Sequence, residues 1–263
     1  MVNFQINAYV KRAVILLGLV SGILLLTSCS TSINNVKMWF PPEFSGMQRK
    51  SVDLVIEASA SAEDITNLRK MNDVATERLN VVWPVTQSKP ELWVCLTETC
   101  YQNLGGGSPK AKSFGSRILI SPRGLSTGII SHERWHSEFV WRIGIVKAFE
   151  IPRWFDEGVA VWVSQYPLHS EEMYQRVLDE KITPPALSAL ITFKDWDRAV
   201  GRYGDHLKSD DSSPNVVYPT AGHEIRRWIS VVGIDGLRQL VDRIAAGEDF
   251  SAVYLGIEQE VKR

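Results

Sequence analysis

Two short stretches carry most of the information: Ser126-Thr-Gly-Ile-Ile-Ser131-His132-Glu133-Arg134-Trp135-His136, and, further on, Ile151-Pro152-Arg153-Trp154-Phe155-Asp156-Glu157-Gly158-Val159-Ala160. The first has a helical apolar pattern and places two histidines four residues apart. On a helix, positions i and i+4 lie one above the other on the same face. Two imidazoles so placed can converge on one ion at about 2.0–2.1 Å, the usual zinc–nitrogen distance. Glu133 sits one position round from His132, where its carboxylate reaches a metal-held water without being a ligand. A catalytic zinc takes three protein ligands and keeps an open position. The second stretch starts a new helix at Pro152 and offers Glu157, with 20 residues between it and His136. That gap lets the first helix end, the chain turn, and a second helix bring the carboxylate back.

Working outward, the chain before these stretches reads as strands and one helix. Ser51-Val-Asp-Leu-Val-Ile-Glu-Ala58 alternates as a strand, and Ser61-Ala-Glu-Asp64 is a capping box opening a helix that carries Ile65, Leu68, Met71 and Leu79 on one face. Glu91–Leu96 and Arg117–Ser121 read as further strands, separated by the glycine-rich loop at Gly105–Gly107. In Arg117–Ser121, Ile118 and Ile120 are expected on one side and Leu119 on the other. From Gly124 onward the pattern is mostly helical, interrupted near 144–152, 183–185 and 201–214. Strands early and helices late predict an α+β fold, a small N-terminal sheet followed by a helical C-terminal half.

The N-terminus reads as an address. Lys11 and Arg12 precede an uncharged run of 14 residues, Ala13–Leu26, which ends in Leu26-Thr27-Ser28-Cys29. That run is too short to span a bilayer, which takes about 20 residues, and suits a signal-peptide core. The closing tetrapeptide resembles the bacterial lipobox, which implies cleavage after residue 28 and a diacylated Cys29 as the new N-terminus. The expected division is a signal peptide over 1–28, a tether over 29–50 and one catalytic domain over 51–256. With Ser30 after the cysteine, the resemblance implies the outer membrane, lipid-anchored and facing the periplasm. In an oxidising envelope Cys95 and Cys100, the remaining cysteines, are candidates for a local disulfide, the alternative being two free thiols. Two cysteines alone do not make a structural zinc site.

Composition narrows the partners. The chain has 263 residues, 44% hydrophobic and 22% charged, with 29 basic and 30 acidic side chains. This is the make-up of a folded globular protein and excludes a disordered, collagen-like or disulfide-dense chain. No Lys/Arg run exceeds two residues, which argues against nucleic acid and leaves a peptide or protein substrate, with the membrane reached through the anchor.

Together, the two motifs resemble the gluzincin metallopeptidases, in particular the peptidase MA-like family with its Pro-x-Trp-Phe/Leu-x-Glu-Gly-x-Ala signature. The resemblance spans roughly residues 50–256 and implies a thermolysin-like core. It puts His132, His136 and Glu157 on the family's zinc ligands and Glu133 on its general base, and makes Gly158 and Ala160 sites of close helix packing. It further implies that a metal-bound water activated by Glu133 attacks an amide carbonyl, and that the strand ahead of the motif helix, here Arg117–Ser121, is a sheet edge that pairs with the peptide. Val217-Tyr218-Pro-Thr-Ala221 resembles the family's Tyr-x-x-Ala helix, making Tyr218 the first candidate for stabilising an oxyanion and His223 the second. His169 and His206, in polar loop-like surroundings, are expected to be solvated, and Asp156 receives no role.

Two departures leave alternatives open. Thermolysin-like gluzincins orient the first histidine with an Asp four residues after the ligand Glu, and here that residue is Val161. The aminopeptidase motif Gly-x-Met-Glu-Asn is missing, which leaves endopeptidase as the expected activity. The competing readings are a zinc-binding lipoprotein scaffold without turnover, and a zinc amidase acting on cell-wall peptides.

Overall fold

The computed structural model describes residues 36–207 and 212–263. Cys29, the signal segment over 1–28 and the start of the expected tether lie outside the described residues. Among the described residues, five strands and nine α-helices follow two short 3-10 turns. The sheet half runs β1 (Met47–Ser51), β2 (Leu54–Glu57), α1 (Ala62–Asn80), β3 (Glu91–Val94), α2 (Glu98–Asn103), β4 (Ala111–Phe114) and β5 (Arg117–Ile120). The helical half runs α3 (Thr127–Ile143), α4 (Ile145–Glu150), α5 (Arg153–Ser164), α6 (Glu171–Asp179), α7 (Phe193–Tyr203), α8 (Val217–Ala245) and α9 (Phe250–Val261). The fold is α+β, a small N-terminal sheet followed by a helical half. Among the described residues, no helix is long and apolar enough to cross a membrane.

The sheet order is β1-β2-β3-β5-β4, with β2, β3 and β5 parallel and the two outer strands antiparallel to their neighbours. Two expectations change here. The edge beside the motif helix is β4, and Arg117–Ile120 lies inside the sheet between β3 and β4. The sheet also begins at Met47, within the stretch expected as tether. There Met38 and Met47 are buried against Val55, Trp93 and Tyr101, so the turns at Val36–Trp39 and Pro42–Ser45 belong to the folded unit.

Period-two alternation packs both faces of the sheet. Ile118 and Ile120 join Ile56, Leu92 and Val94 against Leu68 and Ala75 of α1 and Ile129 and Ile130 of α3. Leu119 faces the other side with Trp93, Cys95 and Leu104. Cys95 and Cys100 are disulfide-bonded, joining the end of β3 to α2. The capping box is present at α1: Ser61 accepts from the Asp64 backbone N–H and Asp64 accepts from that of Ser61.

A second apolar cluster fills the helical half, where Trp135, Phe139 and Ile143 of α3 meet Phe155 and Val159 of α5 and Ile225 and Trp228 of α8. Trp83, Trp135 and Phe139 stack at 5.1 and 5.3 Å, with Phe155 6.4 Å from Phe139. Fully burying each such ring stabilises by about 1.5–3 kcal/mol. Helix α3 therefore serves two cores. Its first turns, capped by the Ser126 hydroxyl on the Ile129 N–H, belong to the sheet, and its later turns belong to the helical half. It stops at Gly144, whose φ of +81° suits a residue without Cβ, and α4 follows at once inside a stretch read as an interruption.

Candidate metal centre

His132 and His136 lie on α3 at the boundary of those two cores, one turn apart, with ring centroids 4.9 Å from each other. Helix α5 supplies the third group. His132 Nε2 lies 3.0 Å from one oxygen of Glu157, and His136 Nε2 lies 3.7 Å from the other. One ligand atom from each of the three residues falls within 4.8 Å of the others. All three side chains are buried, as is Glu133, and Glu133 lines a cleft of about 430 Å3 together with them.

Close packing of α5 on α8 brings Glu157 there. A Cβ placed on Gly158 would stand 2.6 Å from Ile225 Cγ1 and 2.7 Å from the Ala221 carbonyl oxygen, so only glycine permits this approach. The small residue after Glu157 is thus explained by contact, as the signature implied.

Asp156, for which the sequence suggested no role, is buried at the site. One of its oxygens lies 2.9 Å from His136 Nδ1 and accepts from the Trp135 indole N–H at 3.1 Å. A carboxylate on Nδ1 leaves Nε2 available to a metal and would make the ring a stronger ligand. Arg153, at the start of α5, donates to both Asp156 and Glu157 and packs over the Phe193 ring at 4.3 Å. Its i+3 and i+4 spacing to the two acids is visible in the sequence; the link from Asp156 to His136, made between helices, is not.

These contacts set the protonation states. Burial opposes charge on Glu157, yet Arg153 and His136 outweigh it and hold the carboxyl well below its usual range. Asp156 is lowered in the same way, burial being overcome by His136 and Arg153. Burial also works against His136, but Asp156 and Glu157 push it up to about 9. Glu133 has no such compensation: burial raises it, and the nearby histidines offset only part. A raised carboxyl takes up a proton more readily than an ordinary one, which suits a general base.

The remaining histidines divide. His169 is buried, 6% exposed, and stacks on Tyr218 with centroids 4.4 Å apart and planes 3° from parallel. His206 shares a 2.9 Å hydrogen bond with the Tyr218 hydroxyl. Neither is solvated as expected: His169 stacks on Tyr218 of α8, His206 bonds its hydroxyl, and the neighbouring Asp205 accepts from the backbone N–H groups of Val216 and Val217 at the start of that helix. His223 lies elsewhere: it bonds Glu171 at 2.8 Å and stacks on Tyr174 at 4.0 Å, which removes it as an oxyanion candidate. Tyr218 lines the cleft, its ring centroid 6.0 Å from that of His132, and burial raises its hydroxyl well above the usual value, so it stays a neutral donor.

The donor set fits a divalent ion of the zinc type. Two imidazole nitrogens and a carboxylate, one imidazole backed by a second carboxylate, form a three-ligand set with a cleft beside it. Neither family models nor curated proteins nor solved structures give a match to this chain.

Proposed function

We propose that the chain is a zinc peptidase that cleaves an extended peptide laid along β4, held at the cell envelope by a lipid on Cys29. The observation that carries the reading is the convergence of His132, His136 and Glu157 at one point, with the non-ligand Glu133 beside them in a cleft. Zinc at such a point supplies Lewis acidity, polarising a carbonyl and lowering the pKa of water. The rest falls to the chain's own residues. Glu133 takes the proton of the attacking water and later delivers it to the leaving amine. Tyr218, neutral and held by His206, donates to the oxygen on which negative charge develops. With His206 donating from Nε2 to the phenol oxygen, the phenol proton is free for that purpose.

Support for a peptide comes from the edge strand. Lys112, Ser113 and Phe114 of β4 line the cleft, and an outer strand offers unpaired backbone groups to an extended chain. Val140, Ile145, Phe149 and Phe193 add apolar lining, which favours apolar side chains near the scissile bond.

The test contrasts two carboxylates. Glu133→Gln should keep its zinc and fold while losing about 10²–10⁴-fold in peptide hydrolysis. Glu157→Gln should lose zinc and activity together. Wild-type protein that carries zinc but cleaves nothing in a broad peptide library would reduce the reading to a zinc-binding scaffold. Cleavage confined to isolated cell-wall peptides would select the amidase.

A further inference from the structure

His132 ligates from Nε2, so its proton sits on Nδ1, and a buried imidazole N–H needs an acceptor. Helix α5 does not supply one. Its other carboxylate, Asp156, is taken by His136, and the residue one turn beyond Glu157 is Val161. Val161 is packed so closely on α8 that a Cβ at Gly222 would stand 2.5 Å from its Cγ1. His132 Nδ1 is accordingly buried with no hydrogen-bond partner among the described residues, and so is His169 Nδ1.

These two atoms belong to neighbouring rings. The centroids of His132 and His169 lie 6.4 Å apart at 64°, and both residues border one small cavity of about 40 Å3, with Glu133, His206 and Tyr218 also on its wall. One water needs roughly 10–15 Å3 by this measure and two to four polar partners, so the cavity is large and polar enough. His169 is itself well fixed. It stacks on Tyr218, Tyr166 meets it edge-on at 5.1 Å, and its carbonyl accepts from Arg226 at 2.9 Å. The carbonyl before it, that of Leu168, accepts from Asn215 at 3.2 Å.

We propose that His169 is the positioning residue for His132: its Nδ1 accepts, through one water in the shared cavity, the hydrogen bond that His132 Nδ1–H must make. A fixed imidazole on a separate turn thus serves where α5 offers no free carboxylate. The same ring braces Tyr218, so one side chain sets the orientation of a metal ligand and of the phenol across from it.

This rests on the reading that His132, His136 and Glu157 hold zinc, and the experiment separates the two. Zinc affinity of the full chain is measured by competition with a chromophoric chelator for wild type, His169→Phe and His169→Asn. Phenylalanine keeps a ring on Tyr218 and removes the nitrogen; asparagine restores an acceptor near the Nδ1 position. Loss of a group that orients a ligand typically costs 10–100-fold in metal affinity, so His169→Phe should weaken zinc binding by about that factor and His169→Asn should recover most of it. Wild-type affinity in His169→Phe overturns the inference while leaving the zinc site standing. A wild type that binds no stoichiometric zinc overturns both. Should the phenylalanine variant fail to fold, imidazole 15N NMR of the zinc-loaded wild type decides. Two exchange-protected Nδ1–H signals, from His132 and His136, support the inference, and one from His136 alone refutes it.

Discussion

Arg153 neutralises two buried carboxylates of the candidate metal centre: Asp156, which bonds His136, and Glu157, which could bind an ion. Removing one partner of a buried ion pair leaves the other charge uncompensated, at about 3–5 kcal/mol. In metal-free protein, Arg153→Met should therefore lower unfolding stability by about 3 kcal/mol, measured by urea denaturation with a chelator present. With zinc bound the loss should shrink, because the cation then balances Glu157. Equal losses in both states would show that Arg153 does not share Glu157 with the metal. At this scale the candidate cluster was legible because helical geometry dictates its spacing: His132 and His136 one turn apart, Glu157 near the start of a later helix. Asp156, His169 and His206 were not. Each acts on a residue of another element, and a polar side chain reads the same in sequence whether it is solvated or, like Asp205 and His206, bonded to the start of α8.

Helix α5 is positioned by contact, so its fit to α8 can be broken without touching a ligand. Gly158→Val would force several heavy atoms into a space where even a Cβ stands 2.7 Å from the Ala221 carbonyl oxygen, which is backbone and cannot swing aside. Overpacking of this kind costs about 1–3 kcal/mol or more, and the neighbouring Glu157 would move with its helix. Both the thermal midpoint and zinc affinity should fall; a variant that loses stability while keeping wild-type affinity would show that Glu157 does not depend on this packing. The strands show the limits of sequence reading. Arg117–Ile120 is apolar and ends at a proline, so it stands out and looks like the last strand before the motif helix. Ala111-Lys-Ser-Phe114 carries a lysine and a serine, as solvent-facing edge strands do, and follows a glycine-rich loop, so the true edge left almost no apolar signal. Met47–Ser51 escaped for the same reason: only Met47 is buried, and the rest of the strand is polar.

The candidate metal centre lies where the two cores meet on α3, so protonation there, and any ion it holds, should be felt by the whole molecule. In metal-free protein His136 is raised from 6.5 to about 9 by Asp156 and Glu157, which overcome its burial. A raised histidine contributes stability that is fully present below its ordinary value and is lost as pH climbs through 9. The carboxyls of Asp156 and Glu157 are depressed, so their contribution is present above the ordinary carboxylate range and is lost as pH falls below it. These three groups together contribute most at about pH 5–6.5, while His169 and His206, both lowered by burial, withdraw stability as pH falls below the ordinary histidine value. Zinc requires the His136 proton to leave, while Glu157 is already ionised. Below pH 9 its binding should release a proton from His136, and the apparent affinity should rise by about tenfold per pH unit on that account. The gain in thermal midpoint on adding zinc should thus grow steadily from pH 6 to pH 8. Thermal denaturation with zinc or chelator at each pH measures the gain, and calorimetry in buffers of different ionisation enthalpy counts the protons. A gain that does not change between pH 6 and pH 8, with no proton released, would mean that the ion does not displace a proton from His136 and that the cluster is not the place where zinc binds.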